Sequence, residues 1–283
     1  MIRILGVLCV FFYTKNTSSD VVFFTLFPNL HPFLLDVLRK AGKGCLYTPS
    51  LYPTLLILAR LHPDLLAADN PAISLSPFVP EIERLLASGV LKTRSLAAEA
   101  LSSILPRVEL NDFVGARIQL LEKSMKQNQV HGIILLVNHS LRKISDGEQI
   151  IEEMIRKSWL ITSNPCPFTA SLYIETLEKA ISSNPAASNS TYLAHIIDQA
   201  MDCSKSNANQ GPLTVLKTSC ISFIVSLRSV RRTAELLGCG DRVVAEAVFA
   251  TPGLGDWFQV KEGMGEEEGE LTLDLCLHLT KVG

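Results

Sequence analysis

The sequence predicts an all-α fold of stacked helical repeats, a solenoid followed by a short C-terminal tail that is β or irregular. Three observations predict it. Apolar residues recur in steps of three and four along most of the chain. Capping residues, prolines and glycines bracket those stripes, and pairs of stripes return at a coarse, steady interval.

Six stripes carry the helical reading. In chain order they are Leu96, Ala97, Ala100, Leu101, Ile104 and Leu105; Val130, Ile134, Val137, Leu141 and Ile144; and Ile150, Ile151, Met154 and Ile155. Leu172, Thr176, Leu177, Ala180 and Ile181 follow, then Leu193, Ile196, Ile197, Ala200 and Met201, then Leu213, Leu216, Cys220, Ile224 and Leu227. Such spacing lays each set on one helical face, and the alternation of a strand is nowhere sustained among them. Ser76-Pro77 and Asn164-Pro165 each set a capping oxygen before a proline at the first helical position, where a missing N–H does no harm. Asp146 with Gln149 resembles a capping box. Gly89 and Gly238-Cys239-Gly240 mark helix ends, where glycine takes a left-handed C′ conformation at little steric cost.

Read in pairs, second helices begin near Leu91, Asn128, Pro165 and Gly211, roughly 35 to 45 residues apart, the interval of armadillo and HEAT repeats. A helix pair cannot bury both apolar faces alone, so consecutive pairs stack. No strict consensus recurs, and a compact irregular α-bundle is the alternative. The predicted repeat domain covers residues 21–250. The tail, residues 251–283, is turn-rich and then Gly/Glu-rich; residues 271–279 alternate apolar with polar, a strand signature without an evident partner.

Bulk properties bound the rest. A 47% hydrophobic and 19% charged chain of 283 residues is built for burial, not disorder. Net charge of −2 gives no general attraction to nucleic acid or an anionic membrane, so any RNA contact needs a local basic patch or a partner sharing the affinity. The seven cysteines form no CxxC pair and no Cys/His set at zinc spacing, and read as buried reduced thiols of a cytoplasmic protein. Residues 1–13 hold one basic residue and an apolar run too short to span a bilayer, with no A-x-A site after it. Residues 1–20 are therefore read as a hydrophobic edge, a truncation or gene-model artefact, in preference to a signal peptide.

Chemistry is not written anywhere in this pattern. The sequence has no Walker-type phosphate loop, no GxGxxG after a strand and no G-x-S-x-G elbow. Glu266-Glu267-Glu268 is flanked by glycines and reads as a solvated tail. No catalytic residue, metal or cofactor is expected, and the candidate contacts to RNA or a partner are six. His131, near a helix start, is either a phosphate or carboxylate contact or a hydrogen-bonding residue that fixes the helix against its neighbour, with Gly132 allowing close packing. Lys92 and Arg94 oppose the dipole at their helix N-terminus, which calls for compensation by a carboxylate, a phosphate or a neighbouring helix C-terminus. Arg228, Arg231 and Arg232 are the densest basic cluster, either a polyanion-binding ridge or a solvated face.

Four segments, taken in order, resemble the thyroid adenoma-associated protein family. The first begins Phe23-Phe24-Thr25-Leu26-Phe27-Pro28-Asn29-Leu30-His31-Pro32. The second is Ser50-Leu51-Tyr52-Pro53-Thr54 with its apolar continuation, followed by Leu75-Ser76-Pro77-Phe78-Val79-Pro80. The third is Lys92-Thr93-Arg94-Ser95-Leu96, and the fourth Asn128-Gln129-Val130-His131-Gly132. The match covers roughly residues 21–181. The resemblance implies an armadillo/HEAT-type fold and a non-catalytic regulatory subunit of an FtsJ-like methyltransferase that modifies the ribose 2′-hydroxyl at position 32 of the tRNA anticodon loop. It implies that methyltransferase and tRNA as partners, and no membrane. A general armadillo/HEAT adaptor for proteins alone is the competing reading. The chain is far shorter than a full family member, and the expectation is a fragment, a truncated product or an incomplete gene model.

Overall fold

The computed structural model describes residues 17–42, 49–64, 70, 72–144 and 147–184, with further helical positions at 196, 199–200, 213, 215–216, 218–220, 222–224 and 226. The chain forms two compact units, Met1–Ser145 and Asp146–Gly283. The predicted all-α helical-repeat class holds. Among the described residues the only strands are β1 (Ser18–Ser19) and β2 (Leu61–His62), a parallel pair with Ser18 opposite Leu61.

In the first unit α1 (Asp20–Leu26) starts behind Ser19, whose hydroxyl accepts the Val22 N–H at 3.3 Å. The chain then turns by 104° into α2 (Leu30–Gly42), which buries Leu30, Leu34, Leu35 and Leu38 at helical spacing. After α3 (Leu51–Leu58) come α4 (Val79–Leu85), α5 (Leu91–Ile104), α6 (Arg107–Gln119) and α7 (Gln127–Ser140). These are helix pairs. α2 packs on α3, α4 on α5 and α6 on α7, while the second helices α3, α5 and α7 pack successively in one layer. Burying one large aliphatic side chain in that layer contributes about 1.5–3 kcal/mol, enough for a row of them to hold successive pairs together. α5 lies at its centre, with Ala97, Ala98, Ala100 and Leu101 wholly buried, and its alanines let neighbours approach on several sides.

Polar staples fix the stacking. Arg117 of α6 donates from Nε and Nη2 to the two carboxylate oxygens of Glu83 on α4, at 2.6 and 3.1 Å, and its guanidinium lies 4.1 Å from the Phe113 ring centroid. His31 joins two of the segments that carry the family resemblance. Its Nε2 is 2.9 Å from the Ser74 carbonyl, and its ring meets Phe24 and Phe78 edge-on, each at 4.9 Å between centroids.

The second unit contains α8 (Gly147–Ile155), α9 (Trp159–Thr162) and α10 (Pro167–Ser183), with α10 against both others. The Tyr173 hydroxyl donates to the Met154 carbonyl at 2.7 Å, and complete burial pushes its phenol pKa upwards. Ser219 donates to Glu175 and Ser226 to Glu178, tying α10 to the stretch that buries Leu216, Cys220 and Ile224 of the sixth stripe.

Several helix boundaries differ from the sequence reading. Leu91 opens α5 as expected, and α7 starts one residue before Asn128. Ser76-Pro77 opens a 3-10 turn instead of an α-helix, and α4 begins at Val79 with Pro80 in its first turn; neither start has a side-chain cap, and the Ser76 N–H is taken by the Ser74 hydroxyl. Asn164 does use its side chain, accepting the Cys166 N–H at 2.9 Å, but the helix starts at Pro167. The residue before a proline avoids the α region, so Cys166 stays extended and delays the helix. Gly89 does not take the left-handed conformation, because 3-10-type bonds over Leu86, Ala87 and Ser88 tighten the end of α4 instead. Asp146, Gly238 to Gly240, the apolar start, the acidic run and the predicted tail strand lie outside the described residues.

Candidate functional site

The third and fourth family-like segments meet where α5 and α7 begin. Arg94, four residues into α5, is only 7% exposed. Its Nη1 donates to the Ser88 carbonyl at 2.6 Å and to Asn128 Oδ1 at 3.0 Å. Ser88 lies in the turn that closes α4, so the compensation demanded by a cation at a helix N-terminus comes from a neighbouring helix C-terminus, one of the three sources expected. Lys92, two residues earlier, points the other way and is exposed to solvent.

His131 lies beside this guanidinium. Burial, reinforced by the Arg94 charge, pushes its pKa down to about 4. Its Nδ1 has no hydrogen-bond partner. At neutral pH the ring is thus uncharged: its one N–H can still donate a hydrogen bond, but it brings no positive charge to a phosphate or carboxylate. Gly132 next to it explains the tight fit. A Cβ there would sit 2.7 Å from the Leu86 carbonyl carbon and closer still to its oxygen, so α7 crosses the end of α4 backbone to backbone.

A pH dependence follows from this cluster. Between about pH 6.5 and 4 the unfolded chain takes up a proton at His131 that the folded chain refuses, so stability falls as the pH drops through that window and levels off below it. The expected loss is about 1–2 kcal/mol, the full shift being discounted for solvent that still reaches the ring. Thermal melts of the wild type and His131→Gln across this range should diverge, the variant showing the shallower slope; parallel curves would remove His131 as the cause.

A second feature lies beyond the other end of α5. Residues 59–64, 74–76 and 103–109 wall an open groove of about 850 Å3, lined mainly by apolar side chains such as Leu61, Ile104, Pro106 and Phe113. Lys143 reaches into it, donating to the Ser102 carbonyl at 2.9 Å and to Ser103 Oγ at 3.1 Å. Burial and then the nearby Arg107 charge lower its pKa, opposed by Glu99. None of Arg60, Arg107 and Lys143 forms an ion pair among the described residues. Val108 at the rim is 82% exposed. On the facing wall the buried Asp20 accepts the Val21 and Asp64 N–H groups, and burial raises its carboxyl pKa.

The structure therefore brings the buried Arg94 and the half-buried His131 into one cluster and leaves Lys92 at the surface. Arg228, Arg231 and Arg232 lie outside the described residues. The groove cations were not singled out by sequence, although Val108 was legible as out of phase with the Leu110, Val114 and Ile118 stripe of α6. Among the described residues no group of three or more His, Cys, Asp or Glu side chains could hold a metal ion.

Comparison with known proteins gives a consistent picture. A family described as the C-terminal TPR repeats of Trm732 matches residues 2–140. TPR, armadillo and HEAT repeats are all stacked helix units, so the repeat name differs from the one expected while the architecture does not. The chain is 30% identical over 190 residues to the tRNA (32-2′-O)-methyltransferase regulator THADA of Gallus gallus, covering 58% of this chain and 10% of that protein. With the Homo sapiens protein of the same name it shares 30% over 186 residues, or 57% and 10%. With the tRNA (32-2′-O)-methyltransferase regulator trm732 of Schizosaccharomyces pombe it shares 27% over 203 residues, or 66% and 13%. The chain thus spans about a tenth of the length of the curated relatives it matches. No solved structure matches it.

Proposed function

The chain belongs to the THADA/Trm732 family, to its C-terminal portion, and from that premise we propose that it is one end of a non-catalytic helical scaffold that supports 2′-O-methylation of the ribose at tRNA position 32. The carrying observation is the meeting of family-like segments inside one stack of helix pairs, Arg94 with Asn128 and His31 with Phe78. The relatives are named as regulators of a methyltransferase, and this chain supplies a shaped, near-neutral surface suited to the same task. The enzyme it serves is of the FtsJ-like class, and the work takes place in the cytoplasm. The tRNA is shared with that enzyme, since a net charge of −2 supplies little affinity for RNA by itself.

The test is direct. Position-32 ribose methylation is measured in cells lacking the full-length gene and again after its return. Loss and recovery are expected; unchanged methylation overturns the reading and leaves a protein adaptor without an RNA role. Reversal of Arg228, Arg231 and Arg232 to Glu should reduce crosslinking of the full chain to tRNA if that ridge carries the contact.

A further inference from the structure

We propose that the groove beyond the end of α5 docks a short extended segment of the methyltransferase, its apolar side chains seated on Val79, Pro106 and Phe113 and one carboxylate held by Arg107 and Lys143. This rests on the regulatory reading above and names where the two proteins touch.

Three features select such an occupant. The accessible lining is mostly apolar and continuous from Val79 and Pro106 to Phe113, and Val108 stands 82% exposed at its rim, where it extends that surface. Arg107 and Lys143 both line the groove, and among the described residues neither forms an ion pair, Glu99 acting on Lys143 only at longer range. Lys143 spends two donors on the end of α5 and keeps a third, since an ammonium carries three. Arg107 is the first residue of α6, where the helix dipole favours an acid, so its cation gains nothing from its own helix. An added carboxylate answers both charges.

The same wall argues against an RNA strand. Asp64 and Glu109 line the groove beside the cations and would repel successive phosphates, whereas a peptide brings backbone N–H groups for them to accept. An apolar floor likewise offers little to a ribose-phosphate chain and much to leucine-like side chains.

The experiment uses the full chain and short overlapping synthetic peptides tiling the methyltransferase sequence, with binding read by fluorescence polarisation. One acidic, apolar tile is expected to bind, and replacing its acid with the amide should weaken it. Arg107→Glu and Val108→Asp should each weaken it by roughly tenfold or more. Both side chains are exposed, so the melting temperature should hold, which separates lost contact from lost fold. Binding of the intact methyltransferase with no tile recognised, or a tile indifferent to both substitutions, overturns the groove while leaving the regulatory role standing. Failure of the intact methyltransferase to bind at all removes that role, and the groove proposal with it. If instead a tRNA oligonucleotide binds and is lost in Arg107→Glu, the groove is an RNA site and the peptide assignment is wrong.

Discussion

Gly132→Ala should cost about 3 kcal/mol and lower the first unit's melting midpoint by about 10 °C. The added methyl would meet the Leu86 carbonyl carbon at 2.7 Å, with the oxygen nearer still, and that group is backbone, so no rotamer change relieves the clash. α7 must move off the end of α4, and the contacts it makes with α5 and α6 loosen with it. Gly89→Ala is the control. Nothing lies within 4 Å of its new Cβ and its backbone is not left-handed, so the change should fall within about 0.5 kcal/mol. Equal, small effects at the two sites in denaturant titrations would contradict the backbone-to-backbone crossing.

Arg94→Ala is expected to be of similar size, about 3 kcal/mol. It strips the Ser88 carbonyl and the Asn128 side chain of a shared donor and leaves a gap where the buried stem ran. Arg94→Lys should recover only part of the loss, because one ammonium cannot reproduce the spread of a planar guanidinium. Asn128→Ala should cost about 1 kcal/mol, and the double variant less than the sum, the two residues being partners. A further readout distinguishes this cluster from ordinary packing. With Arg94→Met the second cause of the His131 depression disappears, so the His131 pKa should rise when followed by NMR. An unmoved pKa, or strictly additive losses, would refute the cluster.

Much of this was legible in the sequence because it is periodic. The Leu96 and Val130 stripes predict α5 and α7, and the Leu91 and Asn128 starts fall within a residue of those observed. The close packing expected at Gly132 is observed, whereas the hydrogen bond expected of a structural His131 is not seen at its Nδ1. What the sequence withheld is long-range. Nothing near Arg94 announces that its acceptor is Asn128, and no local rule links Lys143 to Ser102. The start of α10 was misplaced for a local reason: two prolines compete for the first helical position, and the second wins because it constrains the residue before it. The groove escaped because its walls come from three separated stretches of chain.

The crossing of Gly132 over Leu86 bears on how this part of the array bends. Side chains between helices act as cushions, rotating and sliding as the angle between neighbours changes. At this joint there is no cushion, and Arg94 bolts the same corner from the side. The Glu83–Arg117 link between α4 and α6 runs through two side chains, which can follow a small rotation without moving backbone against backbone. Flexing on partner binding should therefore be taken up at that hinge side, with the Gly132 corner as the fixed pivot.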